Sequence, residues 1–571
     1  MQENIVSHVG PKTLRASGVE VITGESVLRL LSDDAFLSGW TGLYDACPWA
    51  TVFQSKEFVS VWYKVYGQKH MPIVVKEEHN GRLTGLLTLA RDVRGLGITA
   101  AGGWNAYYHT WLVAADDDDR FIRRALAEVR KLFPKQKITL KYIPPNTPLG
   151  WLQTDAHWAA RHVSRPFLRP VIYFNDPDIA RFFGRKRFKE ARNRLKRQGD
   201  LVYSQVTDFD TFVSVFDELA EQYDFRKGAT LGKAPFRKNP LKKEFLLSLF
   251  KENILHVSLL RLNGKIIASL IATEGKNKWV HGAGINTHHP RYSRASPGYV
   301  SMMMLGQQLL GEGYQAFDLT PGGHDYKEGL ANAHDQLYEL TIMDRWAAFS
   351  TKLINRHVRN RGKLLLAGAG ITSTHVKRDI KNWLRNSQEK LRLVQKGQVK
   401  AALKYKGGSH AKRHEMELFE IDLADLHNGG AIPLGINKLR DLLEYDAGRG
   451  RVSFGKFIHD SSRRFEGGEK CFTWVKEGRL MACVWQLPAA KNNGEKAGLP
   501  KAAVVLDGLY CHGMEQAGVV AFLSAVSTQV VEEGGVEAVY VSVIAADKSV
   551  SAALKQTGFS KVSGNPSQMQ L

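Results

Sequence analysis

The chain has 571 residues, of which 43% are hydrophobic, 10% aromatic and 24% charged, a composition typical of globular proteins that excludes wholesale disorder and fibrous repeats. This length exceeds what one hydrophobic core supports, so we expect about two to four domains. The formal net charge of +22 is concentrated in segment 181–197, with a net charge of +8, and segment 352–413, with +15. The folded domains are therefore predicted to be nearly neutral, and two local elements carry the positive charge.

The sequence shows only weak signals for membrane insertion or secretion, for disulfide bonds and for metal binding. The chain contains no run of about 18 apolar residues and no signal-peptide pattern at its start, which predicts a cytoplasmic protein. The four cysteines have no CxxC spacing and are expected to be buried thiols rather than disulfide or zinc ligands. His288 and His289 lack a third ligand at a suitable spacing, so we predict a polar loop there and no metal site.

Three predicted β-hairpins share one turn signature. In each, an Asn-Gly or Glu-Gly turn precedes a basic residue, an aliphatic residue, any residue and then Gly or Ala, at 81–85, 264–268 and 478–482. Strand-like runs flank every turn, which is a good hairpin signal. The small residue lets a second backbone or a ligand approach the returning strand closely. Three occurrences in equivalent settings predict a triplicated unit.

Helices and strands recur around these hairpins in a fixed order. Helical patterns at 55–67 and 242–253 precede the first two hairpins. A strand, a helix and another strand follow the second hairpin over 278–320 and the third over 503–544. The order helix, hairpin, strand, helix, strand predicts an α/β fold with mixed sheets. In such folds, ligands bind where adjacent strands diverge.

Four segments resemble the GNAT acyltransferases, and more closely the CelD-type branch of cellulose and exopolysaccharide biosynthesis, which is similar to the tandem GNAT arrangement of the Fem peptidyltransferases. These segments are FQSKEFVSVWYKVYG at 53–67, GRKRFKEARNRLKRQG at 184–199, RYSRASPGY at 291–299 and FDLTPGGHDYKEGLA at 317–331. The resemblance covers residues 45–345. It implies GNAT-like units at 20–165 and 166–350, the second with the acyl-CoA and catalytic site, a basic helical linker at 351–412 and a degenerate GNAT-like unit at 413–571.

The segment RASPGY has the properties of a diphosphate-binding turn before a helix. Ser296 is suited to cap the helix, Gly298 permits close approach, and Arg291 and Arg294 add positive charge. Tyr299 completes the set of predicted acetyl-CoA contacts. The usual GNAT loop, R/Q-x-x-G-x-G/A, is here reduced to one Gly plus Pro, and a plain capped helix is the alternative.

Candidate catalytic residues lie on two strands and the loop that follows them. Asp318 is placed at a strand terminus, where it either takes part in catalysis or caps the turn. By resemblance, Tyr326 is expected to donate a proton to the leaving thiolate and Lys327 to contact a phosphate or sugar. Glu274 and His281 are candidates for the base that deprotonates the acceptor amine, although a structural role is an alternative for His281.

The basic helix at 184–199 is predicted to bind the acceptor. Arginine forks match phosphate oxygens, so we assign a phosphorylated amino-sugar acceptor to its cations. They are Arg185, Lys186, Arg187, Arg192 and Arg194. A solvated face and a tRNA site, as in Fem relatives, are the alternatives.

Segment 352–413 combines apolar patches with cations. It is predicted either to lie on an anionic membrane surface or to pack as a linker between domains. In the third unit, HGMEQAG at 512–518 lacks the Arg and paired glycines of a CoA loop. This unit is predicted to serve regulation, acceptor binding or dimerisation.

Together these patterns predict a cytoplasmic N-acyltransferase, with a peripheral membrane position left open, that uses acetyl-CoA and no metal to modify an amino sugar of an exopolysaccharide or cell-envelope precursor. A Fem-like aminoacyl-tRNA-dependent transferase and a non-catalytic scaffold or regulator are the alternatives.

Overall fold

The structure is a computed structural model that describes residues 14–16, 18–95, 97–114, 119–322, 325–354, 416–421, 432–448, 452–488, 500, 502–511, 514–544, 548–555 and 559–562. The chain separates into two compact units. Unit 1 comprises Met1–Phe216, Asn239–Asn286 and Pro297–Gly368, and unit 2 comprises Asp217–Lys238, Thr287–Ser296 and Ala369–Leu571. The four-segment division made from the sequence concerns repeats of the fold and stays a prediction.

Strands and helices follow one another along the described residues. Up to residue 342 the strands are β1 Leu14–Ala16, β2 Val19–Thr23, β3 His70–His79, β4 Arg82–Asp92, β5 Ile98–Ala100, β6 Leu112–Val113, β7 Ile138–Ile143, β8 His162–Tyr173, β9 Leu201–Val206, β10 Leu255–Leu262, β11 Lys265–Gly275, β12 Trp279–His288, β13 Ala316–Asp318 and β14 Ala333–Ile342. The helices are α1 Glu25–Leu30, α2 Asp34–Ala46, α3 Lys56–Tyr66, α4 Arg120–Leu132, α5 Trp151–Thr154, α6 Ala156–Ala159, α7 Ile179–Phe183, α8 Lys186–Lys196, α9 Phe209–Leu231, α10 Pro235–Lys238, α11 Leu241–Lys251, α12 Pro297–Gly311 and α13 Asp325–Glu328. Residues 345–354 are also helical.

The C-terminal part repeats this alternation. Its strands are β15 Met416–Ile421, β16 Gly435–Ile436, β17 Lys470–Lys476, β18 Arg479–Gln486, β19 Ala503–Cys511, β20 Ala538–Ile544 and β21 Phe559–Lys561. Its helices are α14 Leu439–Leu443, α15 Phe454–Glu466, α16 Gln516–Glu532 and α17 Lys548–Lys555.

Two mixed sheets organise these strands. One has 14 strands in the order β1-β2-β3-β4-β5-β7-β14-β8-β13-β12-β11-β10-β9, with β6 paired to β4. The other has seven strands in the order β16-β17-β18-β19-β20-β15-β21. Both contain parallel and antiparallel pairs, so the predicted mixed α/β fold is confirmed.

The three hairpins of the sequence are β3–β4, β10–β11 and β17–β18. Each closes through two residues that both have positive φ, as a type I′ turn requires. The turns are Asn80-Gly81 (51° and 74°), Asn263-Gly264 (49° and 76°) and Glu477-Gly478 (52° and 69°). The pairing register also shifts at the corresponding place in each hairpin, so the three share a β-bulge beside the turn.

Each hairpin is followed by one parallel strand pair. The pairs are β5–β7, β12–β13 and β19–β20, and the chain crosses between their members through α4, α12 and α16 respectively. Parallel neighbours need such a crossover because the first strand ends at one side of the sheet and the second strand begins at the opposite side. The predicted order of elements is therefore present three times.

The small residue after the first turn has a visible packing role. A Cβ on Gly85 would lie 2.3 Å from Cδ2 of Phe121, whose ring is fully buried. Phe121 belongs to α4, whose apolar side packs into the core with Trp111, Leu126 and Ile138. Gly85 therefore lets the crossover helix approach its hairpin closely.

Candidate functional site

The parallel strands β12 and β13 pair over only three residues and then diverge. Trp279 pairs with Ala316, Val280 with Phe317, and His281 with Asp318. Beyond that point β12 continues to His288, whereas the other chain turns away after Asp318. A cavity of about 40 Å³ opens there. Its lining consists of Leu270, Ile271, Gly282, Ile285, Asn286, Met302, Phe317, Leu319, Thr320 and Lys327.

Asp318, at the divergence point, is the centre of a buried polar network. Its Oδ2 accepts hydrogen bonds from the Tyr108 hydroxyl at 2.5 Å and from Nδ1 of His281 at 2.7 Å. A carboxylate only accepts, so the His281 proton must be on Nδ1. Asp318 is completely buried and His281 is 2% exposed. The sequence predicted both residues, and the structure brings them together.

His281 also packs among aromatic rings in this network. Its ring lies 5.9 Å from those of Trp279 and Phe53, and 5.5 Å from that of Tyr108. A Cβ on Gly275 would lie 3.2 Å from Nε2 of His281, so the glycine leaves room for the imidazole. Neither His281 nor Asp318 lines the cavity, which supports a positioning role for both; direct catalysis by them stays a prediction.

Arg169 of β8 supplies the positive charge of the network. Its guanidinium is ion-paired with Asp335, which also accepts a hydrogen bond from the Tyr173 hydroxyl at 2.8 Å. It lies 5.4 Å from the Tyr108 ring centroid and 5.0 Å from that of Trp279. Arg169 is 4% exposed, so the nearby carboxylates stabilise a charge that water does not reach.

These contacts determine the ionisation of the buried groups. Burial alone raises the pKa of Asp318, but the hydrogen bonds from His281 and Tyr108 and the charge of Arg169 outweigh it and lower that pKa below its usual value. Burial and the Asp318 charge raise the pKa of Tyr108 well above its usual value. Asp318 is therefore an anion and Tyr108 a neutral hydrogen-bond donor at neutral pH.

Thr320 carries backbone strain at the edge of the cavity. Its φ is 62°, a left-handed conformation that is unusual for a β-branched residue. Its amide donates to Oδ1 of Asp318 at 2.7 Å, and Nζ of Lys327 donates to its carbonyl at 3.0 Å and to its hydroxyl at 2.9 Å. Such strain persists only when surrounding contacts hold it, and it often occurs at functional sites.

The beginning of α12 is bordered by cations of the basic helix. The guanidinium of Arg187 lies 4.9 Å from the ring centroid of Tyr299, in the first turn of α12. Arg185 donates to the carbonyl of Gly329 at 2.9 Å, just after α13. Amides at the start of a 15-residue helix and two adjacent guanidinium groups form an environment that favours an anion.

The basic helix is seated by apolar side chains. Phe188, Ala191 and Leu195 are buried, and the Phe188 ring lies 6.4 Å from the ring of Tyr299 in α12. Its cations are exposed except for Arg192, which is half-buried, and Nζ of Lys186 lies 3.9 Å from Oε1 of Glu190. Toward the end of α8, Arg194 lines a surface groove. Acceptor binding by Arg185, Lys186, Arg187, Arg192 and Arg194 stays a prediction.

The remaining predicted residues lie apart or outside the described residues. Glu274 approaches Nδ1 of His256 at 3.3 Å rather than the Asp318 network. Tyr326 lies on α13, but its side chain is outside the described residues. Arg291, Arg294 and Ser296 belong to a segment of unit 2, whereas Gly298 and Tyr299 begin α12 in unit 1, so this joint acetyl-CoA contact set stays a prediction.

Sequence reasoning missed Tyr108, Arg169, Asp335 and Thr320. Tyr108 is 210 residues from Asp318 in the sequence, so no local pattern joins them. One signal was available, because an arginine at position 169 within the otherwise apolar run of β8 is unusual for a buried strand.

Two other predictions concern segments that are only partly described. Of segment 352–413, only residues 352–354 are among the described residues, so its membrane or linker role stays a prediction. In the third unit, α16 begins at Gln516 after Glu515, and positions 512 and 513 lie outside the described residues. The role of this unit also stays a prediction.

Three further features of the described residues concern metal ligands, thiols and membrane-spanning helices. Across the described residues, no group of three or more His, Cys, Asp or Glu side chains is placed to hold a metal ion. Cys47, Cys471 and Cys483 are buried free thiols, and Cys511 is partly exposed. Among those same described residues, no helix is both long and apolar enough to cross a membrane.

A family model described as "Acetyltransferase (GNAT) domain" matches residues 183–328, which contain the divergent strands, α12 and the basic helix. No curated protein matches the chain. The C-terminal domain (DUF2156) of a putative lysylphosphatidylglycerol synthetase from Agrobacterium fabrum is 14% identical, covering 56% of this chain and 95% of that one, with a TM-score of 0.37.

Two further solved structures are similar at the same level. FemX is 7% identical, covering 55% of this chain and 98% of that one, with a TM-score of 0.40. A tandem GNAT protein from the clavulanic acid biosynthesis pathway is 13% identical, covering 57% and 99%, with a TM-score of 0.34. TM-scores this low carry no functional information. The family match supports a GNAT-type domain and does not reach the CelD-type branch.

Proposed function

We propose, on the premise that residues 183–328 are a GNAT-type acetyltransferase domain, that this chain is an N-acyltransferase. It takes the acyl group from acetyl-CoA and delivers it to an amino sugar of an exopolysaccharide or cell-envelope precursor. The observation that carries the proposal is the divergence of β12 and β13 beside the start of α12, with Arg185 and Arg187 next to that helix end.

The chemical groups around the start of α12 and the gap between β12 and β13 suit the parts of a CoA thioester. The first amides of α12 and the guanidinium groups of Arg185 and Arg187 would hold the diphosphate. The thioester end would lie in the gap between the strands, toward Thr320 and Lys327. The described cavity of about 40 Å³ is too small for the pantetheine arm, so binding requires the cleft to widen.

The transfer forms one bond and breaks another. The acceptor nitrogen attacks the thioester carbonyl carbon, the carbon–sulfur bond breaks, the amine loses a proton and the CoA thiolate gains one. Lys327 stands at the edge of the cavity, where its ammonium would stabilise developing negative charge. The Asp318 network holds Thr320, and through it Lys327, in position. Tyr326 remains the proposed proton donor to the thiolate.

The acceptor is assigned to the outward cations of α8. Arg192 and Arg194 lie beyond the pair at the start of the helix and are suited to a phosphate of a sugar nucleotide or lipid-linked sugar. An amine acceptor carrying such a phosphate would be attracted to this side of the domain.

Release of free CoA from acetyl-CoA, measured with the full chain and a panel of amino sugars and their nucleotide derivatives, tests this function. We expect release with at least one amine acceptor and none with the N-acetylated form of the same sugar. Replacement Lys327→Ala should lower kcat by about 100-fold, because a preorganised charge is lost. Glu328→Ala, an exposed change on the same helix, is the matched control and should stay active.

Full activity of the Lys327→Ala variant would remove that residue from the site. Two outcomes would contradict the proposed function itself. One is the absence of CoA release with every amine acceptor of the panel. The other is transfer from aminoacyl-tRNA in the absence of any CoA-dependent reaction, with binding that weakens steeply as salt rises.

A further inference from the structure

The helix of residues 345–354 in unit 1 presents an apolar face to solvent. Trp346 is 80% exposed, Phe349 59% and Leu353 44%, and they are spaced i, i+3 and i+7, so they lie on one side of the helix. Ile354 next to them is 61% exposed. Ala348 is completely buried on the opposite side and fixes the orientation of the helix.

Three large apolar side chains on one exposed face are unfavourable in free energy when they are in contact with water. Soluble proteins expose isolated apolar residues routinely, but contiguous apolar patches mark contact surfaces. The rings of Trp346 and Phe349 lie 6.5 Å apart, so they form one patch rather than two separate exposures.

Positive charges border the patch. Arg345 and Lys352 are exposed on the same helix, and Lys352 donates from Nζ to the Ala159 carbonyl at 3.0 Å. The acidic residue just before the helix, Asp344, is hydrogen-bonded to Arg130 at 2.6 Å, so its charge is compensated. The sequence from 352 to 413 that follows carries a net charge of +15.

We propose that this helix docks unit 1 onto the surface of a bilayer containing anionic phospholipids. Trp346, Phe349 and Leu353 would enter the boundary between headgroups and acyl chains, a depth that Trp prefers. Arg345 and Lys352 would meet lipid phosphates at the same level. This placement goes beyond the acyl transfer proposed above and does not depend on it.

Sedimentation of the full-length protein with lipid vesicles tests the proposal. We expect binding to phosphatidylcholine vesicles that contain phosphatidylglycerol, weaker binding as salt rises, and little binding to phosphatidylcholine alone. The double variant Trp346→Ser/Phe349→Ser should reduce the vesicle partition coefficient by about tenfold or more, because two interfacial anchors are lost. Trp104→Ser removes another tryptophan, 88% exposed, and should bind as the wild type does.

Because the altered side chains are exposed, the double variant is expected to keep the wild-type melting temperature, and this is measured first. Equal binding of the wild type and the double variant to anionic vesicles would overturn the proposal. So would equal loss in the Trp104→Ser variant. A lipid-independent dimer that the double variant abolishes would assign the patch to a second copy of the chain instead.

Discussion

Asp318 is a fully buried carboxylate that three hydrogen bonds and one guanidinium keep charged. Its two oxygens have different partners. Oδ2 takes the Tyr108 hydroxyl and His281, and Oδ1 takes the amide of Thr320. The strained turn at the cleft therefore depends on a charge that is stabilised from two neighbouring strands, β8 and β12, and from the distant loop that carries Tyr108.

Replacing Tyr108 with Phe tests this dependence. The change removes a hydrogen bond to a charged group, so the free energy of unfolding at pH 7 should fall by about 1.5–3 kcal/mol. Chemical denaturation gives this value. Tyr142→Phe, at a half-buried tyrosine whose ring packs on Phe167, is the control and should change stability by much less.

The difference in the free energy of unfolding between the wild type and the Tyr108→Phe variant is expected to depend on pH. The pKa of Asp318 is lowered in the folded state, so its contribution is fully present above the unfolded pKa of about 3.9 and is lost as the pH falls through the folded value. The stability difference between wild type and Tyr108→Phe should therefore shrink below about pH 4. A difference that stays constant down to acid pH would show that the hydroxyl does not act through the carboxylate.

For individual residues, the sequence identifies candidates for the site but does not show which side chains contact them. Asp318 and His281 are recognisable because each lies in a strand that the sequence itself predicts. Tyr108 and Arg169 approach them through the sheet, which joins strands far apart in the chain. Such pairings depend on tertiary packing, and a single sequence contains no spacing that encodes them.

At the scale of elements, the hairpins were predictable because their turn chemistry is local. Two consecutive residues with positive φ favour Asn, Asp and Gly, and this preference is visible in the two Asn-Gly turns, whereas the third turn has Glu477 at its first position. The parallel pairs were predictable from the strand, helix, strand order. The joining of both N-terminal repeats into one 14-stranded sheet was not, since β14 completes it by pairing with β7 on one side and β8 on the other.

Gly85→Ala tests the close contact between the first hairpin and its crossover helix. The added methyl would lie within 2.8 Å of three ring carbons of Phe121, which must shift inside a filled core. We expect a loss of about 1–3 kcal/mol in the free energy of unfolding. Gly42→Ala, in helix α2 with nothing within 4 Å of the added atom, is the matched control and should be neutral or slightly stabilising.

An unchanged stability of the Gly85→Ala variant would mean that the ring moves freely. In that case the small residue shared by the three hairpins would not be explained by helix packing, and a role in ligand approach would have to be considered for the second and third hairpins.

In the whole molecule, the sheets and most of the positive charge lie in different parts of the chain. The strands of both sheets lie outside segments 181–197 and 352–413, in the remainder of the chain, whose net charge is close to zero, whereas the cations concentrate on α8 and in the sequence from 352 to 413. The domain match covers residues 183–328, so the first repeat and the C-terminal sheet lie outside it. The first repeat nevertheless reaches the site, because it contributes Tyr108.

We propose that the start of α12, with the adjacent arginines of α8, holds the diphosphate of a CoA thioester. Isothermal titration of the full-length protein with acetyl-CoA and with free CoA tests it most directly. We expect a dissociation constant in the micromolar range and at least about tenfold weaker binding for Arg187→Glu, because the change puts a negative charge beside the phosphates. Arg194→Glu, the same charge change two turns further along α8, should bind nearly as the wild type does. No binding by the wild-type protein, or equal weakening in both variants, would contradict the claim.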